Sequence, residues 1–146
     1  MGLDMWLYAK KYFFDDDEKV KRISKEFSEM EDFDLKEVKF EVAYWRKANH
    51  IHKWFVDNCQ EGVDECQNSY VSDEKLEELL KLVKEILENH SKAETLLPCE
   101  EGFFFGGTEY DEWYFEDLKS TKEMLEKILR RIKDGKGWDI YYSSSW

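Results

Sequence analysis

The spacing of apolar residues changes at residue 45 from every second position to every third or fourth, and this limits what the chain can fold into. Val38, Phe40, Val42 and Tyr44 alternate with Lys39, Glu41 and Ala43, which predicts a strand with one buried face. Residues 46–57 then place Ala48, Ile51, Trp54 and Phe55 along one stripe of a helix. A sheet and helices must therefore share a core.

The other segments extend that pattern. In the first twelve residues Leu3, Met5, Leu7 and Ala9 fall on one parity and Trp6, Tyr8 and Lys10 on the other, a strand apolar on both faces and so a central one. Asp15 to Glu18 make an acidic helix start, followed by Val20, Ile23, Phe27 and Met30 at helical spacing to about residue 30. Ser72 is an N-cap before Asp73 and Glu74, and Leu76, Leu79, Leu80, Val83, Ile86 and Leu87 form the stripe behind it. The only proline, Pro98, leads into GFFFGG at 102–107. A long helix is expected from Thr108 to about Lys133, carried by Tyr114, Leu118, Leu125, Ile128 and Ile132 and ended by DGKG. The tail WDIYYSSSW supplies a last strand. The expectation is one α+β domain over residues 1–146, a small, mostly antiparallel sheet packed by about four helices.

Composition agrees with a single core. With 146 residues, 42% apolar and 24 of them Phe, Tyr or Trp, the chain can offset its conformational entropy by burial, unlike a disordered acidic tail. No apolar run approaches the roughly 20 residues that span a bilayer, and the N-terminus lacks the features of a secretory leader. Cys59, Cys66 and Cys99 match no disulfide framework, so reduced thiols and a cytoplasmic location are expected. The net charge of −12 disfavours direct contact with nucleic acid or an anionic membrane.

Against that charge, YWRKANHIHKWF at 44–55 is a basic, aromatic island. Projected on a helix, Arg46, Asn49 and Lys53 gather opposite Ile51 and Phe55, presenting a guanidinium, an amide and an ammonium suited to phosphate or carboxylate. Trp45 at the strand end offers a stacking face for a base, and His50 lies within the same island. A solvated or ion-paired cationic face is commonplace on an amphipathic helix and is the more ordinary explanation of these cations. His50 and His52 imitate an HxH metal pair but lie about 200° apart on a helix, and with Cys59 and Cys66 they match no familiar zinc spacing, so no metal or other cofactor is expected.

The complement of the island is EGFFFGGTEYDEWYFED at 101–117, with six carboxylates and no Lys or Arg. Asp111 falls near the apolar side of its helix and is the expected ion-pair partner of Arg46 or Lys47. Gly106, Gly107 and Thr108 suggest a turn and a hydroxyl cap at a helix N-terminus, where an anion could bind. No residue set names a catalytic nucleophile, base or reaction. Exposed aromatics such as Trp113, Tyr141, Tyr142 and Trp146 would suit a homo-oligomeric contact.

The blocks MGLDMWLYAKKY, VAYWRKANHIHKWF and GFFFGGTEYDEWYFEDL, with the terminal SSSW, resemble a family of small acidic proteins encoded by bacteriophages and prophages. The resemblance implies a phage genomic context, in which small proteins of this kind often act against host defence in the cytoplasm of an infected bacterium. Two routes follow. One is sequestration of a small anionic, nucleotide-type signal by Trp45, Arg46, Asn49, His50 and Lys53, with Thr108 and Asp111 from the acidic block. The other is blockade of a basic host protein by an acidic surface that imitates nucleic acid.

Overall fold

The computed structural model describes residues 2–14, 18–102, 105–132 and 135–146. Strand β1 (Asp4–Tyr12) is flanked by β2 (Glu37–Arg46) and β4 (Asp139–Ser145), and β3 (Ser69–Val71) lies beyond β4, giving the antiparallel order β2-β1-β4-β3. Among the described residues five α-helices accompany the sheet: α1 (Glu18–Ser24), α2 (Asn49–Cys59), α3 (Asp73–Glu88), α4 (Ala93–Leu96) and α5 (Glu112–Ile132). The fold is α+β.

One face of the sheet carries the core. Leu3, Met5 and Leu7 of β1 and Ile140 and Tyr142 of β4 are buried with Ile51 and Phe55 of α2, Leu76, Leu79, Val83 and Ile86 of α3, and Leu118 and Leu125 of α5. Each such side chain contributes about 1.5–3 kcal/mol when fully buried. The other face is not a second core. Trp6, Tyr8 and Tyr141 are half-buried there, with Lys39 Nζ 3.9 Å from the centroid of Tyr8 and Lys10 Nζ 4.5 Å from that of Tyr141. Thus β1 is central, yet apolar burial is confined to one side, and lysine stems and cations cover the aromatics of the other.

A bulge corrects the reading of β2. Leu7 pairs with Ala43 but Tyr8 pairs with Glu41, so Val42 is an extra residue opposite β1. An extra residue reverses the parity of everything after it. Val38 and Phe40 therefore share a face with Ala43 and Trp45, and Tyr44 turns outward. Phe40, near the sheet edge, stays 58% exposed.

Two helix boundaries also differ from expectation. Helix α1 stops at Ser24, and a 3-10 turn at Ser28–Met30 follows, leaving Phe27 and Met30 exposed rather than on a continued stripe. The acidic start placed at Asp15 to Glu18 lies, apart from Glu18, outside the described residues. Helix α5 begins at Glu112, not near Thr108, because Asp111 caps it: Tyr114 N–H donates to Asp111 Oδ1 at 3.2 Å. Ser72 does cap α3, accepting from Lys75 N–H at 3.2 Å. The closing DGKG lies partly outside the described residues, as do two phenylalanines of GFFFGG.

Candidate functional site

The β2–α2 junction and the first turns of α5 enclose a pocket of about 360 Å³, lined by Arg46, Lys47, Asn49, His50, Cys99, Gly106, Gly107, Glu109, Asp111, Trp113, Tyr114 and Asp117. The volume suits a small ligand. Arg46 ends β2 opposite Asp4, so it belongs to the strand and not to the helix face predicted for it. Lys47 follows in a left-handed conformation (φ 55°), its N–H donating to the Leu3 carbonyl at 2.7 Å. This turn reverses the chain into α2 and leaves both cations exposed on the rim.

Asn49 is not on the open polar side of α2. It is 1% exposed, and its amide binds the opposite wall: Nδ2 donates to the carbonyls of Phe105 (3.1 Å) and Gly107 (2.8 Å), and Oδ1 accepts from Glu100 N–H (2.9 Å). Three of its hydrogen-bonding positions are thus used to shape the pocket. Gly106 is required in that wall. Its φ is +89°, and a Cβ there would stand 3.0 Å from Lys47 Cβ and 3.1 Å from the Lys47 carbonyl oxygen.

The floor holds a titratable pair. His50, 3% exposed, lies against the Tyr114 ring with centroids 4.2 Å apart, and its Nε2 is buried with no hydrogen-bond partner. The nearest charge is Asp117 Oδ2 at 4.0 Å. Burial lowers the His50 pKa from 6.5 to about 3, and burial together with the Asp111 charge raises Asp117 from 3.8 to about 6. At neutral pH the imidazole is therefore neutral and the carboxylate ionised.

The remaining predicted residues lie elsewhere. Trp45 is 3% exposed, packed beside Phe55, with Nε1–H donating to Thr121 Oγ1 at 2.8 Å, so it offers no stacking face. The bulge at Val42 turned it inward. Lys53 pairs with Asp57 at 2.9 Å, one helical turn on. Thr108 is an exposed loop residue and not a cap. Asp111 does line the pocket, but its carboxylate caps α5, and no ion pair within 4.0 Å joins Arg46 or Lys47 to any carboxylate among the described residues.

The pocket also contains residues that the sequence did not place in a binding site. Trp113, expected as an exposed contact residue, is 78% exposed at the pocket lining, and Asp117 joins His50. A helical projection could have marked Asp117, since it stands about 60° from Tyr114 at the border of the buried stripe. A groove of about 400 Å³ between β2 and the end of α5 is lined by Phe40, Val42, Ile128, Ile132 and Trp138, with Glu41, Lys127 and Arg131 beside them.

His52 points to the other side of α2. Its Nδ1 meets the Tyr142 hydroxyl and its Nε2 lies 2.8 Å from Asp64 Oδ2, whose other oxygen accepts from Trp146 Nε1–H at 3.1 Å. Tyr142, expected as an exposed contact residue, is fully buried and stacked on Phe55 at 4.1 Å. Among the described residues no cluster of three or more His, Cys, Asp or Glu is placed to hold a metal ion, and no helix is long and apolar enough to cross a membrane. Cys59, Cys66 and Cys99 are free thiols.

No protein-family model matches the chain, and neither the curated proteins nor the solved structures contain a match to it.

Proposed function

We propose that the protein is a binding protein that holds a small anionic, nucleotide-type molecule in the pocket between the β2–α2 junction and α5. The observation that carries this reading is the rim: Arg46 and Lys47 are exposed, lack a carboxylate partner within 4.0 Å among the described residues, and border a concave site with an aromatic side chain at its edge. A guanidinium and an ammonium side by side suit a phosphate, and Trp113 suits the face of a base. The thiol in the pocket is not activated, since burial raises the Cys99 pKa, which favours retention of the ligand over its chemical conversion. With the resemblance to phage and prophage proteins, this reading extends to sequestration of a nucleotide-type signal of bacterial defence in the cytoplasm.

Isothermal titration of the purified chain with a panel of nucleotides tests it. Saturable binding is expected, lost by on the order of tenfold or more in Arg46→Ala while the unfolding midpoint stays unchanged. Equal binding by that variant, or no binding by any nucleotide, overturns the reading. Capture of a basic host protein that weakens steeply with salt and is indifferent to Arg46 would instead support the acidic-mimic route.

A further inference from the structure

The pocket is not a simple anion site. Two cations, Arg46 and Lys47, share its lining with three carboxylates, Glu109, Asp111 and Asp117. Asp111 is engaged by the first turn of α5. Asp117 is different: among the described residues its carboxylate receives no hydrogen bond, and the group facing it, His50 Nε2, is buried and also without a partner. A half-buried carboxylate without donors is costly, and a bare phosphate or sulfate entering this pocket would meet it as a like charge. The complementary ligand has two poles, an anionic one for the rim and an N–H donor for the floor.

We infer that the ligand is a nucleotide whose base bears an exocyclic amino group, the amino N–H donating to the Asp117 carboxylate while the phosphate lies at Arg46 and Lys47. The inference rests on the nucleotide reading above and narrows it. Asp117 is the ligand-contacting residue. Because burial holds the His50 imidazole neutral, it does not neutralise Asp117 at pH 7, and the carboxylate faces the amino group without a cationic partner. The pocket volume of about 360 Å³ admits a mononucleotide, and Trp113 at the edge supplies a plane against which the base can lie.

Titration of the full chain with AMP and with purine riboside 5′-monophosphate, which lacks only the amino group, tests this. AMP should bind on the order of tenfold more tightly, the difference expected when a charged acceptor loses its donor. In Asp117→Ala the preference should vanish because AMP binding falls to the level of the analogue. Asp117→Asn, which keeps an acceptor oxygen but no charge, should retain part of it, and thermal denaturation shows that each variant is folded. Equal binding of the two nucleotides to the natural chain, or an unchanged preference in Asp117→Ala, overturns the inference and leaves the nucleotide reading standing. Failure of both, and of CMP, GMP and UMP, overturns the two together.

Discussion

His52 and His50 leave the same helix two residues apart and meet opposite surroundings. Both ring nitrogens of His52 are paired: one is at Tyr142, the other at Asp64, and Trp146 holds the second oxygen of that carboxylate. Around His50 the nitrogen facing Asp117 is unpartnered at 4.0 Å, beside a pocket with cations on its rim. A saturated buried network fixes a fold, whereas an unsaturated one raises the energy of the empty site and lets a ligand recover part of it. The His52 side of α2 thus does structural work, and the proposed ligand site lies on the His50 side.

The strongest test of that contrast is Tyr142→Ala, which removes a fully buried ring and the His52 partner together. It should cost about 3–5 kcal/mol in urea unfolding. Tyr142→Phe, which keeps the stack on Phe55 but leaves His52 Nδ1 without the hydroxyl, should cost about 1–3 kcal/mol. If either variant proves neutral, the His52 network is not what holds β4 to α2.

Acidification separates the two members of the other pair. An unfolded histidine takes up its proton near 6.5, whereas folded His50 does so at about 3, so His50 lowers stability progressively as pH falls from about 6.5 toward 3. Asp117 acts in the opposite sense. Its folded carboxyl takes up a proton near 6 and its unfolded one near 3.8, so it adds stability as pH falls through that window. His50→Gln should therefore gain on the natural chain as pH falls from 6.5 to 4.5, by at most about 1.4 kcal/mol per pH unit. Asp117→Asn should lose ground over the same range. Parallel pH profiles for all three proteins, followed by urea unfolding, would show that the pair is not buried as described.

Arg46→Ala should have the smallest effect on stability, within about 0.5 kcal/mol, since the side chain is exposed and no carboxylate lies within ion-pair distance among the described residues. A loss of several kcal/mol would make Arg46 a structural residue and move it to the His52 class.

Much of the architecture was legible from periodicity. Most of the helix stripes of α3 and α5 are buried as expected, with Leu80, Leu87 and Ile132 half-buried, and Ser72 caps α3, because these depend on neighbours three or four residues away. In α2 Ile51, Trp54 and Phe55 are buried, but so are Asn49, His50, His52 and Val56. The parity of β2 was not legible. Val42 looks like any other alternating residue, and only pairing with β1 reveals it as a bulge, which sends Trp45 into the core and brings Tyr44 out. Thr108 and Asp111 competed for one cap, and the carboxylate one residue before Glu112 holds it. Arg46 and the acidic segment carry complementary charges, which suggests a pair. That complementarity carries no distance, and Asp111 is engaged by α5 instead.

The sequence by itself determined the class of the fold, the identity of its principal helices, the centrality of β1 and the basic island inside an acidic chain. These follow from local spacing and composition, which tertiary contacts can reinforce but need not create. Only the tertiary structure decided which polar residues were consumed. Asn49 became a brace and Lys53 a partner of Asp57, while Arg46, His50 and Asp117 came to border one pocket from three elements. Whether a donor or a charge is satisfied depends on groups far apart in the chain, and their meeting is fixed by register and packing, not by residue type.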